Sequence, residues 1–342
     1  MAQTHPRTHT LNLDIDYGWS EHRQLVKNLC RQFRAIQMTQ PPTNIVWDNL
    51  TTPLGKKQHP QKTHPQDMET IAGTCTLIRE SIRIMVPGSA AADGLDPENH
   101  SVLLYWKQGL TLPYGARRFD TLRTKVHDAI ETLAIKFPPP PPKKADSRHK
   151  SYDNEVELHG KKNCGVYHFA RWVATGQAGV KPPVIFRDCI SSAIHHEETW
   201  KFFISIAPLS QAVSLLFCAV DKLAHQEYTA AYQQALHTGA LTMMTTTKRA
   251  CFQGVVLIRN LAAQPHKDTS DYKDGWVGMC CWGDFSGGHL VIPILGIQLQ
   301  FKPGDIVFFR STLLEHYVLP FVGERNSLVF FSQQHVMGAF QE

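Results

Sequence analysis

Apolar positions between Glu21 and Ile36 recur every three or four residues, at Leu25, Val26, Leu29, Cys30, Phe33 and Ile36, with Arg and Lys between them. That spacing predicts an amphipathic helix. The same period recurs from Phe119 to Ile135, and again from Ser210 to His237, where Val213, Leu216, Phe217, Val220, Leu223 and Ala224 form one apolar face. Short apolar runs around Cys75–Val86 and Val102–Trp106 lie between the first two helices. From Cys251 the texture changes to β-branched and aromatic runs separated by Gly, Pro and Asp. Strands are predicted over Phe252–Ile258, Trp276–Trp282, His289–Ile292, Ile297–Phe301, Ile306–Arg310, Glu315–Pro320 and Ser327–Ser332. GDFSGG, KPGD and VGER supply turns between them. That number of short strands suits two packed sheets, and a jelly roll protects their edges. The expected fold is α+β, a double-stranded β-helix flanked by N-terminal and packing helices.

Two stretches interrupt this pattern. Residues 40–67 (QPPTNIVWDNLTTPLGKKQHPQKTHPQD) read as a basic loop, and Pro138–Pro142 followed by KKADSRHK reads as a stiff linker or surface loop. The expected division is an extension over 1–150 ending in this Pro-rich stretch, then a catalytic domain over 151–342 whose jelly-roll core is 251–334. The chain has 342 residues, 42% of them hydrophobic and 19% charged, which excludes disorder as the main state. No apolar run of about 18 residues is evident, and the start, MAQTHPRTHT, lacks a signal core, so the expectation is a soluble intracellular protein. Eight scattered cysteines without a CxxC pair fit neither a disulfide scaffold nor a Cys-rich zinc site. A net charge of +5 permits a polyanionic partner without requiring one.

His266 and Asp268 form an HxD triplet in the turn AAQPHKD, just after the first predicted C-terminal strand. Roughly one such triplet arises by chance at this composition, so its context decides. His316 follows the KPGD hairpin on a later strand. Two histidines and a carboxylate on the inner faces of a β-barrel can hold Fe(II) and leave room for a bidentate cosubstrate and O2. A structural zinc site would instead close its shell. Arg325 and Ser327 open the strand RNSLVFF, and a guanidinium beside a hydroxyl suits one carboxylate of a dicarboxylate.

The order HxD, GG turn, PGD turn, His, Arg-x-Ser resembles the Fe(II)/2-oxoglutarate dioxygenase superfamily over about Cys251–Gln334. Within it, RNSLVFFSQ and GGHLVIPIL resemble the TET/JBP group of nucleic-acid base oxygenases, in its compact fungal branch, with a weaker likeness at GVYHFARWVATGQ. The resemblance implies Fe(II), 2-oxoglutarate and O2, with His266, Asp268 and His316 on the metal. It places His289 with Arg325 and Ser327 at 2-oxoglutarate, and Arg259, at the end of its strand, is a further candidate there. It places Asp271, Phe331 and Gln333 at the base, where the family carries Asn and Tyr or His. Asp271 offers acceptors only, which favours a base with an amino or N-methylamino group. The implied activity is oxidation of a methyl group on a base flipped out of duplex DNA, 5-methylcytosine or N6-methyladenine, with nuclear residence implied by that substrate. Phosphate contacts are expected from Lys56, Lys57, Lys62, Lys143, Lys144, Lys161, Lys162 and Arg171. A protein-directed hydroxylase of the same superfamily and a non-catalytic nucleic-acid-binding protein are the alternatives.

Overall fold

A computed structural model describes residues 19–36, 38–39, 65–85, 101–143, 147–173, 183–186, 190–237, 249–273 and 275–340. In chain order the elements are α1 (Trp19–Ala35), β1 (Met38–Thr39), α2 (Pro65–Thr74), β2 (Thr76–Ile78), β3 (Ile82–Met85), β4 (Ser101–Trp106), α3 (Ala116–Lys136), α4 (Tyr152–His159), β5 (Gly165–Trp172), β6 (Val184–Ile185), α5 (Ala193–Val220) and α6 (Lys222–His237). The C-terminal part follows with β7 (Gly254–Arg259), β8 (Val277–Trp282), β9 (Phe285–Gly287), β10 (Leu290–Ile292), β11 (Ile297–Leu299), β12 (Ile306–Phe309), β13 (Tyr317–Val318), β14 (Phe321–Gly323), β15 (Asn326–Phe331) and α7 (Gln334–Gly338).

A nine-stranded major sheet runs β1-β3-β4-β12-β8-β15-β7-β5-β6, and a minor sheet runs β13-β10-β11-β2. Alternation along the central strands sorts their side chains between two cores. Val307, Phe309, Met279 and Cys281 point inward against Leu290, Ile292, Ile297 and Leu299 of the minor sheet. Ile306, Phe308, Cys280, Trp282, Leu328 and Phe330 point outward, against Phe202, Ile206, Leu209 and Leu216 of α5 and Leu122, Val126 and Ile130 of α3. The major sheet is therefore covered on both faces, which is why β4, β8 and β12 are continuously buried.

All seven predicted C-terminal strands are present. The division expected at residue 150 does not coincide with a break in the sheets, because β3 and β4 extend the major sheet through β12, and β2 pairs in parallel with β11. The helix expected across Ser210–His237 is two helices. Asp221 stops α5 and caps α6, its Oδ1 accepting from the Ala224 amide at 2.9 Å while Oδ2 accepts from Trp276 Nε1 at 3.0 Å. By length and composition α5 could cross a membrane, with a window of mean hydropathy 1.9 that the sequence reading passed over. Here 72% of that window is buried, as the central helix on the sheet. The Pro138–Pro142 stretch takes no regular structure, and the Pro140 carbonyl accepts from the Val166 amide at 2.9 Å, strapping it to β5.

Candidate metal and cosubstrate site

Beyond β7 the chain turns at Asn260 and runs to His266, which forms an isolated antiparallel bridge with His316, its amide 3.1 Å from the His316 carbonyl and the reciprocal bond 3.0 Å. The backbone thus places two imidazoles side by side, their centroids 4.3 Å apart. Each Nδ1 lies against the carbonyl two residues earlier, His266 at 2.7 Å from Gln264 O and His316 at 3.0 Å from Leu314 O. A carbonyl only accepts, so Nδ1 carries the proton and Nε2 presents its lone pair. Both Nε2 atoms face Asp268, one 3.7 Å from Oδ1 and the other 3.7 Å from Oδ2. All three ligand atoms lie within 4.8 Å of one another.

Burial first, then the neighbouring His316, lowers the His266 pKa to about 3, so the ring is neutral and competent to ligate. Burial works to raise the Asp268 carboxyl, but His266, His316 and Arg148 together hold it below the usual range. Arg148 Nη1 is 3.4 Å from Asp268 Oδ1, and its carbonyl accepts from the Gln264 amide at 2.7 Å. Two imidazoles and one carboxylate fit Fe(II), with ligands few enough to admit a chelating cosubstrate.

Arg325 stands just before β15 and shares the inward face with Ser327, Val329 and Phe331. Its side chain is buried between the rings of Phe285 and Phe321, whose centroids lie 5.3 and 5.8 Å from its Cζ. Nη1 donates to Ser327 Oγ at 2.6 Å, while Nε and Nη2 have no hydrogen-bond partner among the described residues. Desolvation lowers its pKa, and no carboxylate pairs with it among the described residues. A buried, unpaired guanidinium is costly, and a carboxylate set against it would complete the site. Gly288 makes the space, since a Cβ there would lie 2.9 Å from Arg325 Cδ and Nε.

The other expected residues divide. His289 follows Gly288, but its Nδ1 lies 3.2 Å from Gln298 Oε1 and it makes no hydrogen bond to Arg325 or Ser327 among the described residues. Arg259 is corrected: alternation puts it on the outward face of β7 with Val255 and Leu257, where it makes a two-pronged ion pair with Glu131 of α3, one prong at 2.8 Å, and lies 3.6 Å from Glu324. It braces the helix layer and does not reach the cosubstrate pocket. Arg171 is corrected too. It is buried on the outward face of β5 under the Phe340 ring, so it is not a surface phosphate contact.

Asp271 and Gln333 are brought together as an isolated bridge, and Asp271 accepts from Ser311 Oγ at 2.7 Å. Burial first, then the charge of Asp268, holds the Asp271 carboxyl well above the usual range. Phe331 is buried on the inward face, its ring against Gly254. Lys161 and Lys162 are exposed on the turn after α4, and exposed Lys143 lies 5.6 Å from the Phe186 ring. Lys56, Lys57, Lys62 and Lys144 fall outside the described residues. The sequence reading missed Arg148, Asn260, Gly288 and Ser311, of which only Gly288 carried a signal, the GG turn.

Three comparisons bear on this geometry. The stretch 36% identical to the bifunctional helicase and thymine dioxygenase JBP2 of Trypanosoma cruzi covers 66 residues, 19% of this chain and 6% of that protein. Among solved structures, NgTET1 in complex with 5mC DNA aligns over 94% of this chain and 93% of its own, at 13% identity and a TM-score of 0.49. A Pseudomonas putida prolyl-4-hydroxylase aligns over 72% and 98%, at 14% identity and a TM-score of 0.34. The profile of the Tet_JBP family, the oxygenase domain of the 2OGFeDO superfamily, matches residues 187–334, a span that holds all three metal-site residues, Arg325 and Ser327. That segment of the chain is similar to the Tet_JBP family of 2-oxoglutarate and Fe(II) oxygenase domains.

Proposed function

We propose that this protein is an Fe(II)- and 2-oxoglutarate-dependent DNA dioxygenase that oxidises the methyl group of a base flipped out of duplex DNA, 5-methylcytosine or N6-methyladenine, with residence in the nucleus where such a substrate is found. The observation that carries the reading is the pairing of two half-sites: the His266, Asp268 and His316 ligand atoms converge, and an unpaired Arg325 guanidinium stands buried on the same inward face. His266, Asp268 and His316 would hold the metal. Arg325 and Ser327 would hold the distal carboxylate of 2-oxoglutarate. Bound Fe(II) with 2-oxoglutarate and O2 supplies oxidation of an unactivated C–H bond, coupled to decarboxylation of the keto acid to succinate.

This chain's own groups supply orientation. The carbonyls of Gln264 and Leu314 fix both imidazole tautomers. Phe285 and Phe321 exclude water from Arg325, which strengthens its grip on a carboxylate. The Asp271–Gln333 pair would offer donors and acceptors to a base edge. A DNA substrate is supported by the Tet_JBP match and by a relative whose name is that of a thymine dioxygenase. Exposed Lys161 and Lys162 follow α4, whose segment is tied to the site through Arg148 and Asp268. Duplex oligonucleotides bearing 5-methylcytosine, N6-methyladenine or thymine, and a panel of peptides, are incubated with Fe(II), 2-oxoglutarate and air, digested and weighed by mass spectrometry. Hydroxymethyl or demethylated bases are expected; hydroxylated peptide with unaltered DNA would overturn the reading in favour of a protein hydroxylase.

A further inference from the structure

Asn260 is a non-glycine residue with φ +48, buried to 3% exposure, and it uses both ends of its amide. Its left-handed backbone takes the chain out of the β7–β15 ladder one residue past the Arg259–Asn326 pair. There the side chain replaces the missing strand, as Oδ1 accepts from the Arg325 amide at 2.9 Å and the Asn260 amide donates to the Arg325 carbonyl at 2.9 Å. Nδ2 donates to the Asn163 carbonyl at 3.1 Å, in the turn that carries Lys161 and Lys162. Arg325 is thus held on both sides of its Cα by one residue. A left-handed Asn held this way costs backbone energy that the surrounding bonds must offset, and such positions concentrate where geometry matters.

We infer that Asn260 is a positioning residue for cosubstrate recognition: by clamping the Arg325 backbone where β15 begins, it aims the guanidinium at the distal carboxylate of 2-oxoglutarate. The inference rests on the reading that Arg325 receives that carboxylate. Its guanidinium lies between the Phe285 and Phe321 rings and makes one hydrogen bond among the described residues, to Ser327, so the position at which its Cα is held helps to set where it points. The clamp should therefore act on the far end of the keto acid and not on the metal end.

The test compares Asn260→Gly, which accepts the positive φ but lacks the amide, with Asn260→Asp, which keeps the Oδ1 acceptor. Calorimetric titration of the full-length Mn(II)-loaded protein under nitrogen is run with 2-oxoglutarate and with 2-oxobutyrate, a keto acid without the far carboxylate. Asn260→Gly should weaken 2-oxoglutarate about five- to tenfold, as for one lost hydrogen bond to a key group, and leave 2-oxobutyrate within twofold. In turnover the same variant should raise KM for 2-oxoglutarate with kcat little changed, and Asn260→Asp should recover most of the loss. Equal weakening of both keto acids, or no weakening of either, would overturn the clamp. Arg325→Ala is the control, since its unchanged 2-oxoglutarate affinity would defeat the underlying site reading while leaving Asn260 merely structural. If Asn260→Gly does not fold, Asn260→Asp is read in its place: it should weaken 2-oxoglutarate less than fivefold with 2-oxobutyrate within twofold, and equal weakening of both keto acids would overturn the clamp.

Discussion

Arg325 is buried with two guanidinium nitrogens unpartnered among the described residues, and the atom that keeps its pocket open is one that is missing, the Cβ of Gly288. Gly288 also sits at φ +63, where a side chain is strained, so Gly288→Ala both bends the GG turn and presses on Arg325. The expected result is at least a tenfold rise in KM for 2-oxoglutarate, read from succinate release, since charge-assisted hydrogen bonds are worth about 1.5–3 kcal/mol. An unchanged KM would mean that the carboxylate binds elsewhere. Asp268→Ala acts on the other half-site. It removes the group that both Nε2 atoms face, so bound iron and turnover should be lost while the near-ultraviolet circular dichroism persists. Turnover retained at full iron loading would reject the ligand assignment. At this scale turns and spacing singled out residues that the fold does bring together: His266, Asp268 and His316 converge, and Arg325 lies on Ser327. The place of Arg259 was not legible, because which face of a strand a residue takes depends on a register that no local pattern encodes.

Helices and strands supply the positions that these residues occupy, and two contacts show how. Arg259 on β7 and Glu131 on α3 join the helix layer to the strand that leads into the metal turn, with Arg259 at 4% and Glu131 at 32% side-chain exposure. Arg259→Met should therefore lower stability by about 2 kcal/mol, less than the 3–5 of a fully buried pair, and leave 2-oxoglutarate affinity within twofold. Urea unfolding measures the first and calorimetry the second; weakened cosubstrate binding without lost stability would return Arg259 to the pocket. The junction of α5 and α6 is the second contact. The periodicity of 210–237 runs unbroken through it, and only the cap at Asp221, a tertiary arrangement involving Trp276, divides it. His225 packs there, its Nε2 3.0 Å from Ser214 Oγ. Burial, then the nearby His22, lowers its pKa from 6.5 to about 4, against a smaller opposing pull from Asp221. The folded state thus keeps His225 neutral where the unfolded chain protonates it. Its contribution is full above pH 6.5 and is lost as pH falls toward 4, by at most about 3 kcal/mol. His225→Gln should flatten that part of the stability profile, and an equally steep acid loss in the variant would place the titrating group elsewhere.

For the molecule as a whole, the jelly roll was legible because its C-terminal strands alternate and are punctuated by turns, whereas the contribution of 76–85 and 101–106 was not. Those residues read as isolated apolar runs, and only long-range pairing of β4 with β12 and β2 with β11 reveals them as parts of the same two sheets. The catalytic core is therefore continuous with the N-terminal half, and the segment 147–163 lies across it, held by Arg148 at Asp268 and by Asn163 at Asn260. The chain charge is +5, Lys150, Lys161 and Lys162 are exposed on this segment, and under the proposed function they would meet the phosphate backbone of a duplex. Each phosphate contact releases about 0.9 counterion, so Lys161→Glu with Lys162→Glu should lower duplex affinity and reduce the salt slope by about two. Fluorescence anisotropy across a salt series reads this directly. Because neither lysine touches Arg325 or the metal ligands, 2-oxoglutarate affinity in the double variant should match the parent protein. An unchanged salt slope would move the duplex to another face, while a lowered 2-oxoglutarate affinity would show that the Asn163–Asn260 link transmits damage from the turn into the cosubstrate pocket.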